Sequence, residues 1–292
     1  MPSIVQSDQL EKANGRMWSA EMIANTFIGP PLGSLLLLVA FSLPFFVDSV
    51  SFFAAAALVA AIPGTFRADR PDDHVQAPWR TELAEGFRWL WSNDLLRAMA
   101  IILGLMNMAS TLSGSVLVLF AQEILHIGPL VFTIMGFGFA AGGALGGIIA
   151  PRLSKRFGSG TCLAMTLASG AITSFFIGLS SWWPVVMVMF ALGTALGSTW
   201  NVITVSLRQT IIPSHLLGRV NSVYRFFAWG MMPIGAAIGG VTVTVVSHLV
   251  NREFALRSAF FLDAFIYACL FIAGRSKLTT AKLEAARASV PA

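Results

Sequence analysis

The chain has 292 residues, of which 56% are hydrophobic and 11% charged, with a net charge of +5 and a mean hydropathy of +0.75. Water-soluble domains carry about 25% charged residues, so a soluble globular fold is excluded: it could not hide this much apolar side chain. The basic residues are scattered over short loops rather than gathered in a patch, which argues against nucleic acid and leaves the lipid bilayer as the partner.

The opening stretch, "MPSIVQSDQLEKANGR", is polar and holds two acids, unlike a secretory signal. A helix needs about 20 apolar residues to cross the bilayer core. Eight runs meet that requirement, at 18–39, 43–62, 98–120, 130–150, 161–179, 183–205, 223–246 and 254–273. They lack the alternation of a spanning barrel, so the expected fold class is an all-α membrane protein, a bundle of about eight transmembrane helices. Between the second and third runs, residues 63–97 form a polar, proline-bearing linker followed by "WRTELAEGFRWLW". Leu83, Phe87, Leu90 and Trp91 share one helical face there, which fits either a helix lying in the membrane surface or one packed on the ends of its neighbours. Residues 276–292 read as a small polar tail.

With the N-terminus inside and the spans alternating, seventeen of the nineteen Lys and Arg residues fall on the inner side, leaving Arg252 and Arg257 outside. The positive-inside rule then puts both termini in the cytoplasm. Cys162 and Cys269 lie in apolar runs, and the four histidines have no metal-ligand spacing, so neither a metal nor a cofactor is expected.

The chain also repeats itself. "GRMWSAEMIANTFIGPP" aligns with "GRVNSVYRFFAWGMMPI": Gly15 meets Gly218, Arg16 meets Arg219, Ser19 meets Ser222 and Pro30 meets Pro233. "FFVDSV" and "FFLDAF" follow, pairing Asp48 with Asp263. Spans one and two thus resemble spans seven and eight, and a six-span period follows. The expected organisation is residues 1–62 as the last two helices of an N-terminal six-helix repeat, 63–97 as a cytoplasmic linker with an interfacial amphipathic helix, 98–275 as a complete C-terminal repeat, and 276–292 as a cytoplasmic tail. A twelve-span molecule built this way would hold four further spans before Met1. Parallel repeats of this kind are a known plan of secondary transporters.

Three stretches carry a family resemblance: "LEKANGRMWSAEMIANTFIGPPLG", "EGFRWLWSNDLLRAMAI" and "RQTIIPSHLLGRVNSVYRFFAWGMMPIGAAIGG". They resemble the C-terminal two thirds of a bacterial major facilitator superfamily transporter, in the drug:proton antiporter branch of macrolide efflux pumps and enterobactin exporters. The resemblance implies that the first span carries the antiporter motif GxxxGPxxGG, matched by Gly29, Pro30 and Gly33 and departed from at Asn25 and Ser34. Glycine allows close helix approach and proline bends the helix; in the family the motif implies export, and with the two departures ordinary small-residue packing is the competing reading. "GGIIAPRLSKRFG" resembles the superfamily's short cytoplasmic loop motif through Gly147, Arg152, Lys155, Arg156 and Gly158. Pro151 stands where the family has an acid, which argues against an ion-pair latch there and leaves simple inner-side basic residues as the competing reading.

Polar residues inside spans are costly and are functional candidates by default. Glu21 and Asn25, then Asn107, Thr111 and Ser115, then Asn201 and Thr204, and finally Arg225 are the expected substrate and proton pathway, with helix-to-helix hydrogen bonding as the competing reading for each. Glu21 is the expected proton carrier unless it pairs with a cytoplasmic arginine. Asp48 and Asp263 are expected one to two turns inside the outer boundary, where the helix dipole favours an anion; a structural role is the leading reading and proton movement the other. The expected function is proton-coupled efflux of an amphiphilic small molecule, a drug or siderophore, by alternating access across the bacterial inner membrane. No nucleotide loop GxxxxGK[ST] is present, and no nucleophile–base pair at membrane depth suggests an enzyme. The alternative is a truncated, non-transporting membrane scaffold or assembly protein. Nothing in the sequence specifies an oligomeric state.

Overall fold

A computed structural model describes residues 6, 9–61 and 79–288. Its helices are α1 (Leu10–Met22), a π-helical segment (Ile23–Ile28), α2 (Gly29–Val39), α3 (Leu43–Ala60), α4 (Trp79–Ser92), α5 (Asp94–Gly114), α6 (Leu117–Glu123), α7 (Pro129–Phe157), α8 (Ser159–Leu179), α9 (Trp183–Ile211), α10 (Leu217–Leu249), α11 (Arg252–Gly274) and α12 (Thr280–Ala288). The described residues contain no strand. This is the all-helical bundle that the composition requires, because in lipid each segment must satisfy its own backbone.

Local chemistry sets the helix ends. Asn93 caps α5 by accepting from the Leu96 N–H at 3.0 Å, and Asn251 caps α11 by accepting from Phe254 at 2.8 Å. Prolines occupy the first turn of α3, α7 and α9, where no intrahelical donor is missed. Gly158 joins α7 to α8 at φ +84°, and Thr280 packs against the face where a Cβ would stand.

Among the described residues seven helices are long and apolar enough to cross a membrane, one fewer than the eight runs expected. The first run is the difference. Pro30 and Pro31 cannot donate to the preceding turn, and the ladder shifts register just before them: the Gly29 N–H reaches Ala24 O, five residues back. The rod is thereby divided into α1, the π segment and α2. Such bulges and prolines are the usual causes of helix bends. The third run is built from two pieces, α5 and α6, separated by a turn at Ser115 and Val116.

Contacts between loop tips show which ends lie together. Glu123 pairs with Arg252, and Arg257 donates to Gly178 O, Ser180 O and Ser181 Oγ, so these tips share one end. At the other end Arg219 pairs with Glu82 and Glu85, Arg287 pairs with Glu11, and the Gly160 N–H donates to Thr280. The amphipathic stretch is α4, which packs on α10: Leu90 is fully buried and Gly86 lies against the Arg219 backbone.

Within the bundle, α7 packs along α9 and α10 along α5. Gly138, Gly142 and Gly146 sit against Met187, Ala191 and Ala195, and Gly235 and Gly239 against Met108 and Leu112. Lipid tails are as apolar as leucine, so close van der Waals contact, not exclusion from water, holds such helices together. α1 adds to this layer through Ser19, whose hydroxyl donates to Gly15 O and Ala144 O at 2.8 Å. α3, in contrast, has no buried residue, which costs nothing for an apolar rod in a bilayer.

Candidate functional site

A cavity of about 630 Å³ opens between α1, α5, α7, α8, α9 and α11. Its apolar wall includes Trp18, Met106, Met135, Phe139, Met189 and Phe190. Met and aromatic side chains give adaptable apolar contact. The cavity is within the size range of small-molecule sites.

Most polar groups in the wall also tie helices together. Trp18 Nε1 donates to Ser198 Oγ at 2.8 Å, Thr166 donates to Leu196 O at 2.8 Å, and Thr194 donates to Phe139 O at 2.9 Å. Asn107 Nδ2 donates to Ala228 O on α10 at 2.7 Å. Asn201 reaches only Gly197 O of its own helix, at 3.3 Å.

Among the described residues the only acid in the lining is Asp263, which is 3% exposed. Its Oδ2 accepts from Ser113 on α5 at 2.7 Å and from Ser174 on α8 at 2.9 Å. Tyr267, one turn further along α11, lies 3.0 Å from Ser110 Oγ. The expected location of this aspartate near a helix N-terminus is not what is found. Asp263 follows Arg252, the first residue of α11, by eleven positions, about 16 Å at the helical rise. The dipole acts within the first turn only. Asp48 differs: it sits early in α3, on a helix with no buried residue. The two repeat-related aspartates therefore occupy unlike surroundings. Hydrogen bonds between membrane helices contribute about 0.6 kcal/mol on average, whereas a central carboxylate costs about 2.5–3.5 kcal/mol to insert. Two serines do not offset that, so stability alone does not account for Asp263.

The other sequence candidates are dispersed. Asn107 and Asn201 line the cavity. Glu21 and Asn25 are exposed and lie outside its lining, because the α1 face turned inward is the one bearing Trp18 and Met22. Thr111 is half-buried, Thr204 is buried, and Ser115 is exposed with its hydroxyl bonded to Leu112 O at 2.8 Å; none of the three lines the cavity. α10 supplies no lining residue, and Arg225 lies 4.5 Å over the Trp229 ring. Gly33 has no atom within 4 Å of where a Cβ would stand, and Gly29 meets only Ala24 O of the adjoining turn; Pro30 contributes through the break before α2. Gly147 packs against Gly15 and Ser19, while Arg152, Lys155 and Arg156 are exposed beyond it and Gly158 makes the turn. Ser113 and Ser174 were not singled out from sequence. Their only signal was a small hydroxyl in an apolar run.

The sequence model of the Major Facilitator Superfamily matches residues 1–234 and 99–289. The chain belongs to the Major Facilitator Superfamily. This superfamily member is 25% identical over 245 residues to the enterobactin exporter EntS of Escherichia coli O1:K1, an alignment covering 82% of this chain and 56% of the exporter. It is 25% identical over 248 residues to the uncharacterized MFS-type transporter YvqJ of Bacillus subtilis (strain 168), covering 82% of this chain and 57% of that protein. The chain thus spans little more than half the length of the curated relatives it matches. Membership and helices of crossing length make it a multi-pass membrane protein of a transporter superfamily, rather than an enzyme.

Proposed function

We propose that this chain forms part of a secondary exporter that moves an amphiphilic small molecule, a drug or siderophore, outward by alternating access. Influx of protons drives it across a bacterial inner membrane, with both chain ends on the cytoplasmic side. The observation that carries the reading is the apolar, aromatic-walled cavity with a few convergent polar groups, set among helices of a superfamily member. Similarity to a siderophore exporter favours the outward direction. So does the glycine–proline break between α1 and α2, which resembles the antiporter motif.

The test is flux. The purified chain is reconstituted into vesicles, a pH gradient is imposed, and accumulation of a fluorescent amphiphile is followed. Accumulation that depends on the gradient and collapses with a protonophore is expected. Flux equal to that of protein-free vesicles would remove the transport reading for this chain and favour a membrane scaffold.

A further inference from the structure

We infer that Arg208, with Asn221 and Arg225, binds a phosphate-class oxyanion at the end of the bundle where α9 turns into α10. The inference stands apart from the transport proposal and needs neither the cavity nor a proton.

Arg208 is the one buried cation among the described residues, 8% exposed. It makes no ion pair among them. Glu82 and Glu85 hold Arg219 instead, Glu11 holds Arg287, and Glu284 is exposed on α12. Arg208 Nε donates to Thr204 O at 3.3 Å, and Nη1 donates to Asn221 Oδ1 at 2.7 Å. A guanidinium has five N–H donors in a planar fork, so most of the fork is left without an acceptor. Its Cζ stands 3.9 Å over the centre of the Tyr224 ring. The ring covers one face and leaves the edge of the fork for a ligand.

A buried charge is costly unless it is paired. A neutral amide and a ring face soften that cost but supply no negative charge. A second cation stands close by. Arg225 is one turn beyond Asn221 on α10 and so shares its face. It is exposed, lies over the Trp229 ring and pairs with no acid among the described residues. Asn221 is half-buried, and its Nδ2 is left to donate because Oδ1 serves Arg208.

The depth fits a phosphate. α9 has 29 residues, roughly 43 Å at the helical rise against about 30 Å of hydrocarbon core. Arg208 lies within the last turn of α9, so it reaches the headgroup layer. An arginine fork matches two oxygens of a carboxylate or a phosphate. A flat carboxylate would be used up by Arg208 alone. A tetrahedral phosphate keeps further oxygens and can carry a second negative charge, which suits Arg225 and the Asn221 amide. Free inorganic phosphate and the phosphomonoester headgroup of a lipid offer the same chemistry. Either would tie α9 to α10.

The experiment follows the melting temperature of the purified full chain in neutral detergent. Ionic strength is held constant with chloride, so that screening is equal throughout. One probe is inorganic phosphate, with acetate as its control. The other is short-chain phosphatidic acid, with the matching diacylglycerol as its control. At least one probe should raise the melting temperature saturably, as a ligand of the folded chain does. A response to inorganic phosphate assigns the site to the free anion; a response to phosphatidic acid alone assigns it to a headgroup. Arg208→Gln should abolish the shift. Arg208→Lys, which keeps the charge and loses the fork, should weaken binding about tenfold, and so should Arg225→Gln. A merely structural Arg208 would leave the ligand response of the Arg225 variant unchanged. The inference is overturned if neither probe shifts the unmodified chain, if either control acts as well as its probe, or if Arg208→Gln responds like the unmodified chain. If Arg208→Gln does not fold, Arg225→Gln decides: unchanged affinity there would overturn the site. Flux in the vesicles bears on the transport proposal alone.

Discussion

Arg287 Nη2 lies 2.5 Å from Glu11 Oε1, joining residues 276 positions apart. α12 is thereby tied to the first turn of α1, with both side chains partly shielded. Partly exposed ion pairs contribute at most about 1 kcal/mol. Arg287→Gln and Glu11→Gln should each lower the melting temperature slightly. The double variant should melt no lower than the worse single. Fully additive losses in a double-mutant cycle would show that the two side chains do not interact.

The glycines of α7 are not equivalent to those of α2. A Cβ on Gly146 would run into the Ala195 backbone, whereas one on Gly33 would meet nothing within 4 Å. Gly146→Ala should therefore cost on the order of 1–3 kcal/mol and broaden the size-exclusion peak of the purified protein. Gly33→Ala should leave stability unchanged or slightly raised. Equal thermal stability for the two variants would contradict the α7–α9 packing described.

Asn107 and Asn201 both line the cavity but differ in their bonds. Asn107→Ala leaves Ala228 O without its interhelical donor, at a cost of about 1 kcal/mol, readable as a lower melting temperature. Asn201→Ala removes only a long bond within α9. It should change ligand affinity while the melting temperature holds. The reverse pattern would mean that Asn201, not Asn107, is the tie between helices.

Glu21 is exposed and apart from the cavity lining. Glu21→Gln should therefore leave gradient-driven accumulation of the fluorescent amphiphile within about twofold, roughly 0.4 kcal/mol, of the unmodified chain. A larger loss of accumulation in the vesicles would make Glu21 a proton carrier after all.

The rods from α5 to α11 were legible because a bilayer makes one demand of them, about 20 apolar residues in a row. The break before Gly29 was half legible. Pro30 and Pro31 announce a bend, but the five-residue ladder of Ile23–Ile28 depends on how the preceding turn closes. The fate of "WRTELAEGFRWLW" was undecidable from its own pattern. Its apolar face would suit lipid or protein equally, and the cation that holds it, Arg219, comes 134 residues after Glu85. In the cavity, the amides Asn107 and Asn201 stood out as costly groups in oil. The serines of Asp263 did not, because a hydroxyl in a membrane helix can bond its own preceding turn at little cost, and Ser113 and Ser174 are 150 and 89 residues from their acceptor.

Arg97, Arg219, Arg252, Arg257 and Arg287 all make their ion pairs at helix ends, while the middle of the bundle is joined by glycine and alanine contacts and by side-chain hydrogen bonds. Dissolved ions reach only those rims. Raising ionic strength should thus slacken both mouths of the molecule and leave its waist untouched, a way to let the ends breathe without loosening the middle.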